Sequence, residues 1–259
     1  MDIQGKTAIV TGAASGIGRA SAIRLAERGA GKLILVDVDG AGMAETTAAI
    51  ETHQGAHVET HRLDLSDLAA LEAWLTGQEA AGGYDILYNN AGVVSGEPQF
   101  PEAATSKLRF IIDLNLTAVI LSTQIAAQAM RRRGGGVIVN TVSTVALGRG
   151  FSDALYAATK AGLLMFTRSC APLKADWNVR VAGVLPGLTH TPILKKTGAD
   201  GEYAPWMAPI LAGNAMCAPE DIADAVADLI ADDSLAGGDW VAVRKIDGAI
   251  VRQWGHEAG

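Results

Sequence analysis

Cysteine is nearly absent: Cys170 and Cys217 are the two thiols in 259 residues. Two isolated thiols give no disulfide framework, which points to a reducing compartment and a cytoplasmic protein. A basic excess is also missing. Lys and Arg number 21 against 28 Asp and Glu, for a net charge of -7, so the field that a sequence-independent nucleic-acid binder needs is not there. The one basic run, Arg131 to Arg133 followed by glycines, reads as cations at a helix C-terminus and a Gly stop. No apolar run approaches the length of a membrane span. "MDIQGKTAIVTG" enters a strand-like run without a charged segment and apolar stretch before it, so no leader is expected. Linkers rich in Pro, Gly or Ser and internal repeats are lacking too, so residues 1–259 read as a single domain. Hydrophobic residues make up 49% and mean hydropathy is +0.21, ample for a core.

What is present alternates. Short β-branched runs ("TAIVTG", "KLILVDVD", "HVETHRLDL", "YDILYNNAG", "GGVIVNTVST", "NVRVAGVLPG", "DWVAVRK") are separated by longer helical patterns. Such alternation predicts an α/β fold, a doubly wound parallel sheet of Rossmann type covered on both faces. Residues 188–219 lack regular periodicity and are long for a loop in a compact domain, which marks a lid.

"TGAASGIG", Thr11 to Gly18, follows the first strand and opens the first helix. Glycines there serve a tight turn, close approach to a pyrophosphate and close helix–strand packing. The next strand ends in Asp37, 25 residues after Gly12. A carboxylate at that point accepts from a ribose 2'-hydroxyl and repels a 2'-phosphate, so NAD is the expected cofactor. Further on, "YAATK" sets Tyr156 and Lys160 one helical turn apart on one face. A free phenol titrates near 10. A cation at about 4 Å in an effective dielectric of about 20 contributes roughly 4 kcal/mol, enough to bring it toward about 7 before desolvation takes some back. The pair therefore reads as an acid/base with its pKa depressor.

Taken together, "TGAASGIG", "NNAG" at Asn89 to Gly92, Asn115, Ser143 thirteen residues before Tyr156, "YAATK", and "PGLTHT" at Pro186 to Thr191 resemble the short-chain dehydrogenase/reductase family over nearly the whole chain. The resemblance implies a sheet of seven strands, a homo-oligomer (tetramer or dimer), and a catalytic set of Asn115, Ser143, Tyr156 and Lys160. Tyr156 would be the acid/base and Lys160 the pKa depressor and ribose ligand. Ser143 would orient the substrate, and Asn115 would hold a water relay. It implies cofactor contacts from Gly12, Ser15, Gly16, Ile17, Gly18 and Asp37. Asp64 and Leu65 would line the adenine, and Asn90, Ala91 and Gly92 would support the cofactor. Pro186, Gly187, Thr189 and Thr191 would border the nicotinamide. The implied activity is NAD-dependent interconversion of a secondary alcohol and a ketone. Two alternatives stand beside it: a dihydrodiol dehydrogenase of aromatic or alicyclic catabolism, and a non-catalytic cofactor-sensing protein.

Four departures from the family pattern stand out. Pro172 falls where a kink in the helix after Tyr156 is expected. Ala182 replaces a common Asn, and Tyr88 stands where a small aliphatic usually precedes "NNAG". The C-terminal "VAVRKIDGAIVRQW" leans toward the 15-hydroxyprostaglandin dehydrogenase branch.

The lid carries Ile193, Leu194, Trp206, Met207, Ile210, Leu211 and Met216, and Val145, Leu147 and Phe151 precede Tyr156. These predict an apolar pocket for a compact hydrophobic alcohol or ketone (alicyclic, aromatic or steroid-like). His190 is the candidate reader of a second substrate oxygen, and Lys195 and Lys196 are expected to face water. His53, His57 and His61 recur every four residues. Gly55 breaks any helix there, and on a strand they stand too far apart to share an ion, so no metal is expected.

Overall fold

The structure is a computed structural model that describes every residue except 53–55, 149, 199–201, 214 and 256–259. Its centre is a sheet in the order β3-β2-β1-β4-β5-β6-β7-β8. The strands are β1 (Thr7–Thr11), β2 (Lys32–Asp37), β3 (His57–Arg62), β4 (Ile86–Asn89), β5 (Gly136–Thr141), β6 (Val179–Pro186), β7 (Trp240–Ile246) and β8 (Ala249–Trp254). The first seven run parallel, and β8 pairs antiparallel to β7. The sheet thus has one strand more than the seven that the resemblance implied. β7 and β8 are joined by Asp247 and Gly248, both at positive φ (50° and 82°). That is the two-residue turn whose twist matches the paired strands, and Asp-Gly is its favoured sequence.

The central strands are apolar on both sides because both faces are covered. One layer packs Val10, Leu35, Val139 and Val184 against α1 (Gly16–Glu27), α2 (Gly40–Glu51) and α9 (Pro219–Ala231), through Leu25, Met43, Val226 and Ile230. The other packs Ile9, Ile34, Leu87 and Ile138 against α3 (Leu68–Ala80) and the end of a long helix, through Leu71, Leu75, Ala126 and Met130. Adjacent strand residues such as Ile9 and Val10 therefore bury in opposite layers, as pleating requires.

The long helix spans Thr105–Arg132 and is apolar enough by length and composition to cross a membrane. This corrects the expectation that no apolar run reaches that length. Much of its apolar side is instead covered by the sheet and α3. It comprises α4 (Thr105–Ile112), a π turn (Asp113–Thr117) and α5 (Ala118–Arg132). After it come α6 (Ala154–Ser169) and α7 (Pro172–Trp177). Pro172 therefore does not kink a helix. It opens a new one at a first-turn position, where its missing N–H costs nothing. Ala182 is buried in β6 opposite Val139. In 188–219, a short 3-10 turn (Pro192–Lys196) and α8 (Met207–Gly213) supply the regular structure.

Candidate active site

The C-terminal ends of β1, β2, β4, β5 and β6 open onto one cavity of about 650 Å³. It lies where the chain order reverses between β1 and β4, the switch point at which doubly wound sheets bind ligands. Of the residues singled out from sequence, it brings together Gly12, Ser15, Gly16, Ile17, Asp37, Asp64, Leu65, Asn90, Ala91, Gly92, Ser143, Tyr156, Lys160, Pro186, Gly187, Thr189 and Thr191.

The Gly-rich turn closes by tight contacts. Gly12 (φ 65°) has space for a Cβ only 2.8 Å from the Asn90 Nδ2, and a Cβ on Gly18 would lie 2.0 Å from the Gly12 carbonyl oxygen. Gly18 therefore packs helix to turn and does not line the cavity. α2, α3 and α6 each have an Asp side chain capping their first turn (Asp39, Asp67 and Asp153). α1, which starts at the cavity, has Ser15 at its cap with no side-chain cap bond. Its first amides are left as donors, a fit for an anion. Asp37 ends β2 with one oxygen accepting from the Ala14 amide and the other from the Asp39 amide, both at 3.0 Å.

Asn90 ties the turn to the sheet. Its Nδ2 donates to the Thr11 and Gly12 carbonyls, and its Oδ1 accepts from Tyr88 and from Thr141 Oγ1, both at 3.3 Å. The Tyr88 hydroxyl accepts from Thr141 Oγ1 at 2.8 Å and is completely buried. The unusual tyrosine is thus a strut beneath the site, a role that its identity alone did not disclose.

Lys160, 4% exposed, donates to the Thr141 carbonyl at 2.8 Å. Its Nζ lies 5.7 Å from the Tyr156 ring centroid. Burial pulls its ammonium down to about 8. Tyr156 departs from the charge arithmetic above. Burial pushes its phenol up to about 12, opposed by hydrogen bonding with Ser143 and reinforced by the charge of Asp153. Desolvation wins because the cavity encloses both groups, and Lys160 points its charge at a carbonyl.

Asn115 sits in the π turn, an insertion often found at functional sites. It is fully buried and grips Val93 at both ends, accepting from its N–H at 2.9 Å and donating to its carbonyl at 2.8 Å. The carboxamide is therefore committed to holding the chain after "NNAG". Val93 and Val94 line the cavity, as do Phe110, Leu114 and Lys196. Sequence reasoning did not name Val93 or Val94, although they directly follow that motif.

Val145, Phe151, Trp206 and Met207 line the cavity as expected, with Ile193, Leu194 and Ile210. Phe151 meets Trp206 edge-on at 5.3 Å between ring centroids and Tyr156 at 6.5 Å. Leu147, Leu211 and Met216 are not in the wall, and Leu147 is exposed. His190 is a correction. It is exposed and absent from the lining, because Thr189 bridges to Cys217 in extended conformation and side chains there alternate. Thr189 and Thr191 face in and His190 faces out. Lys196, expected in water, is exposed but contributes to the cavity rim. On β3, His57 contacts Glu59 and His61 packs against Trp74, while His53 lies outside the described residues.

A fold of this topology with a tyrosine, a lysine and a serine converging beside a Gly-rich turn defines a nicotinamide-dependent oxidoreductase. The chain belongs to the short-chain dehydrogenase family, whose model, described as short chain dehydrogenase, matches residues 6–202. It is 34% identical over 194 residues to levodione reductase of Leifsonia aquatica, covering 74% of this chain and 72% of that one. It is 35% identical to cis-4-hydroxycyclohexanecarboxylate dehydrogenase of Sinomonas cyclohexanicum, covering 88% and 90%. A crystal structure of levodione reductase superposes with a TM-score of 0.83 at 31% identity, over 99% of both chains. These relatives give no support to the 15-hydroxyprostaglandin dehydrogenase branch suggested by the C-terminal segment.

Proposed function

We propose that this chain is an NAD-dependent dehydrogenase that interconverts a secondary alcohol and a ketone on a compact cyclic, mostly apolar substrate. The observation that carries this reading is the single cavity with Asp37 at one end and Ser143, Tyr156 and Lys160 at the other. The uncapped first turn of α1 suits the pyrophosphate and Asp37 the adenosine ribose. A nicotinamide bound there would accept or give the hydride. The Tyr156 hydroxyl gives a proton to the ketone oxygen in reduction, and its phenolate takes one from the alcohol in oxidation. Ser143 orients that oxygen. Lys160 holds the ribose side, and Asn115 fixes Val93 beneath it.

The substrate wall of Val94, Val145, Phe151, Trp206, Met207 and Ile210 favours a ring over a sugar or phosphate ester. One relative names a cyclohexane ring in its substrate. Among the described residues of the 188–219 stretch, Ile193, Leu194, Trp206, Met207 and Ile210 line the cavity and act as the lid. Assembly as a homo-oligomer is supported by the exposed apolar side chains Ile112 and Met165 on α4 and α6.

The test is NADH formation across cyclic secondary alcohols, polyols and sugar phosphates. Cyclic alcohols are expected to be turned over, and Tyr156→Phe to bind NADH while losing at least about a hundredfold in kcat. Preference for a polyol or phosphate ester refutes the substrate class. A Tyr156→Phe variant retaining more than about a tenth of the rate refutes the acid/base. NADH binding without turnover of any substrate would favour the cofactor-sensing alternative.

A further inference from the structure

Asp153 is 1% exposed, a rare place for a carboxylate. It lies outside every motif described above. Its two oxygens are fully engaged. Oδ1 accepts from the Ser95 hydroxyl at 2.5 Å and from the Tyr156 backbone N–H at 3.1 Å, and Oδ2 accepts from the Ser95 N–H at 2.7 Å. Ser95 is itself buried at 5%. One carboxylate therefore bolts together two segments 58 residues apart in sequence. One is the first turn of α6, which carries Tyr156. The other is the stretch after "NNAG", in which Val93 and Val94 line the cavity. Asn115 grips that stretch two residues earlier, at Val93. The wall is thus pinned from α4–α5 on one side and from the catalytic helix on the other.

We propose that Asp153 is a positioning residue that sets the distance between the Tyr156 hydroxyl and the Val93–Val94 wall, and so the placement of the reacting carbon between them. An N-cap by itself needs one acceptor, and Ser or Asn would serve. A buried carboxylate with two further bonds to Ser95 goes beyond capping. Its charge also bears on the phenol. The charged groups of the cavity wall are Lys160 on the Tyr156 helix, Lys196 at the rim, and Asp37 and Asp64 at the Gly-rich end, with Asp153 at the cap of the Tyr156 helix. Asp153 is the one that disfavours the phenolate. It helps keep Tyr156 protonated, the form that donates in the reductive direction.

This inference rests on Tyr156 being the acid/base, and the two fail separately: Tyr156→Phe tests the acid/base, and Asp153 and Ser95 variants test the latch. Asp153→Asn keeps the shape and one acceptor for the Tyr156 N–H, but loses the charge and turns an amide toward a Ser95 donor. The expected result is a fall in kcat of about tenfold or more, with the cofactor KM within about twofold of wild type. The alkaline-rising limb of alcohol oxidation should move to lower pH. Ultraviolet titration of tyrosinate, with Tyr156→Phe as the baseline, should show the same downward move without any substrate present. Ser95→Ala keeps the charge and the cap. It should lower kcat less and leave the limb in place, and the double variant should be no worse than Asp153→Asn alone. A folded Asp153→Asn variant with wild-type kcat, or one whose pH limb and tyrosinate titration stay at the wild-type position, overturns the proposal. Should Asp153→Asn fail to fold, Ser95→Ala decides: a wild-type kcat there overturns the proposal, and a reduced kcat with unchanged cofactor KM sustains it.

Discussion

The two Asp37 oxygens are each held by a backbone amide, so the charge stays fixed at the cavity wall. The nearby cation Arg19 is already taken, by Glu45 at 2.7 Å and by the carbonyls of Ala14 and Gly42. A 2'-phosphate would meet a carboxylate there, and Arg62, the exposed cation beside it on β3, already donates from Nε to the Val38 carbonyl. A clash of about 2 kcal/mol is roughly thirtyfold, so kcat/KM with NAD should exceed that with NADP by at least about tenfold. Asp37→Ala should narrow the ratio, helped by Arg62, the register partner of Asp37 on β3. Equal efficiency with both cofactors in the wild type would contradict this. Lys160 shows the converse, a charge kept at a cost. Its displacement from 10.5 to about 8 is worth roughly 3–4 kcal/mol, at 1.36 kcal/mol per pH unit. The folded pKa lies below the unfolded one. The cost is therefore full below pH 8 and is relieved as pH rises from about 8 to 10.5. Lys160→Met should abolish turnover yet raise Tm at pH 7, the gain shrinking toward pH 10. Thermal melts across that range check it, and a lower Tm at pH 7 would show that the bond to Thr141 outweighs the desolvation.

Among the elements, the β7–β8 hairpin and α3 make opposite uses of glycine. Gly248 (φ 82°) and Gly77 both have open space where a Cβ would go, so substitution there tests backbone conformation and not packing. Gly248→Ala forces an L residue into the left-handed region and should cost about 1 kcal/mol. That corresponds to roughly 2–4 °C in Tm for a domain of this size. Gly77→Ala, inside α3, should gain about 0.5–1 kcal/mol. Calorimetry of the two variants should give Tm changes of opposite sign. A second element-scale device is Arg180 on β6. It is 1% exposed and donates to the Leu229 and Ile230 carbonyls at the C-terminus of α9. It donates to helix-end acceptors at a buried terminus, where the Ile230 carbonyl also accepts from the N-terminal ammonium.

For the whole molecule, the decisive feature is how the cavity is shared. Its Gly-rich end is lined by backbone and Asp37. Its other end is walled by side chains from the β4–α4 segment, the loop before α6, and the 188–219 stretch. That second end is where the proposed substrate ring sits. Each added methylene that stays inside should improve binding by about 0.8 kcal/mol until the space is full. A homologous series of cyclic ketones should therefore show kcat/KM rising with ring size and then breaking sharply. A flat series would mean that the ring does not enter this end.

Local pattern by itself determined the chain's architecture. The β-branched and helical runs, the glycines of "TGAASGIG" and the acid closing β2 are short-range signals, and the strands and α1 followed them. The Asp-Gly turn that makes β8 is an equally local signal, and the reading of β7 as the last strand leaves it out. Proline chemistry was read correctly but misplaced: Pro172 starts a helix because the chain had already stopped one at Ser169. What only the tertiary structure decided is the environment of the side chains. His190 faces outward because Thr189 pairs with Cys217, 28 residues on. Asn115 is held in a π turn by Val93, and Tyr156 is pushed up by the desolvating walls that segments far apart in sequence set around it. Spacing states which groups can meet, whereas desolvation depends on everything that encloses them.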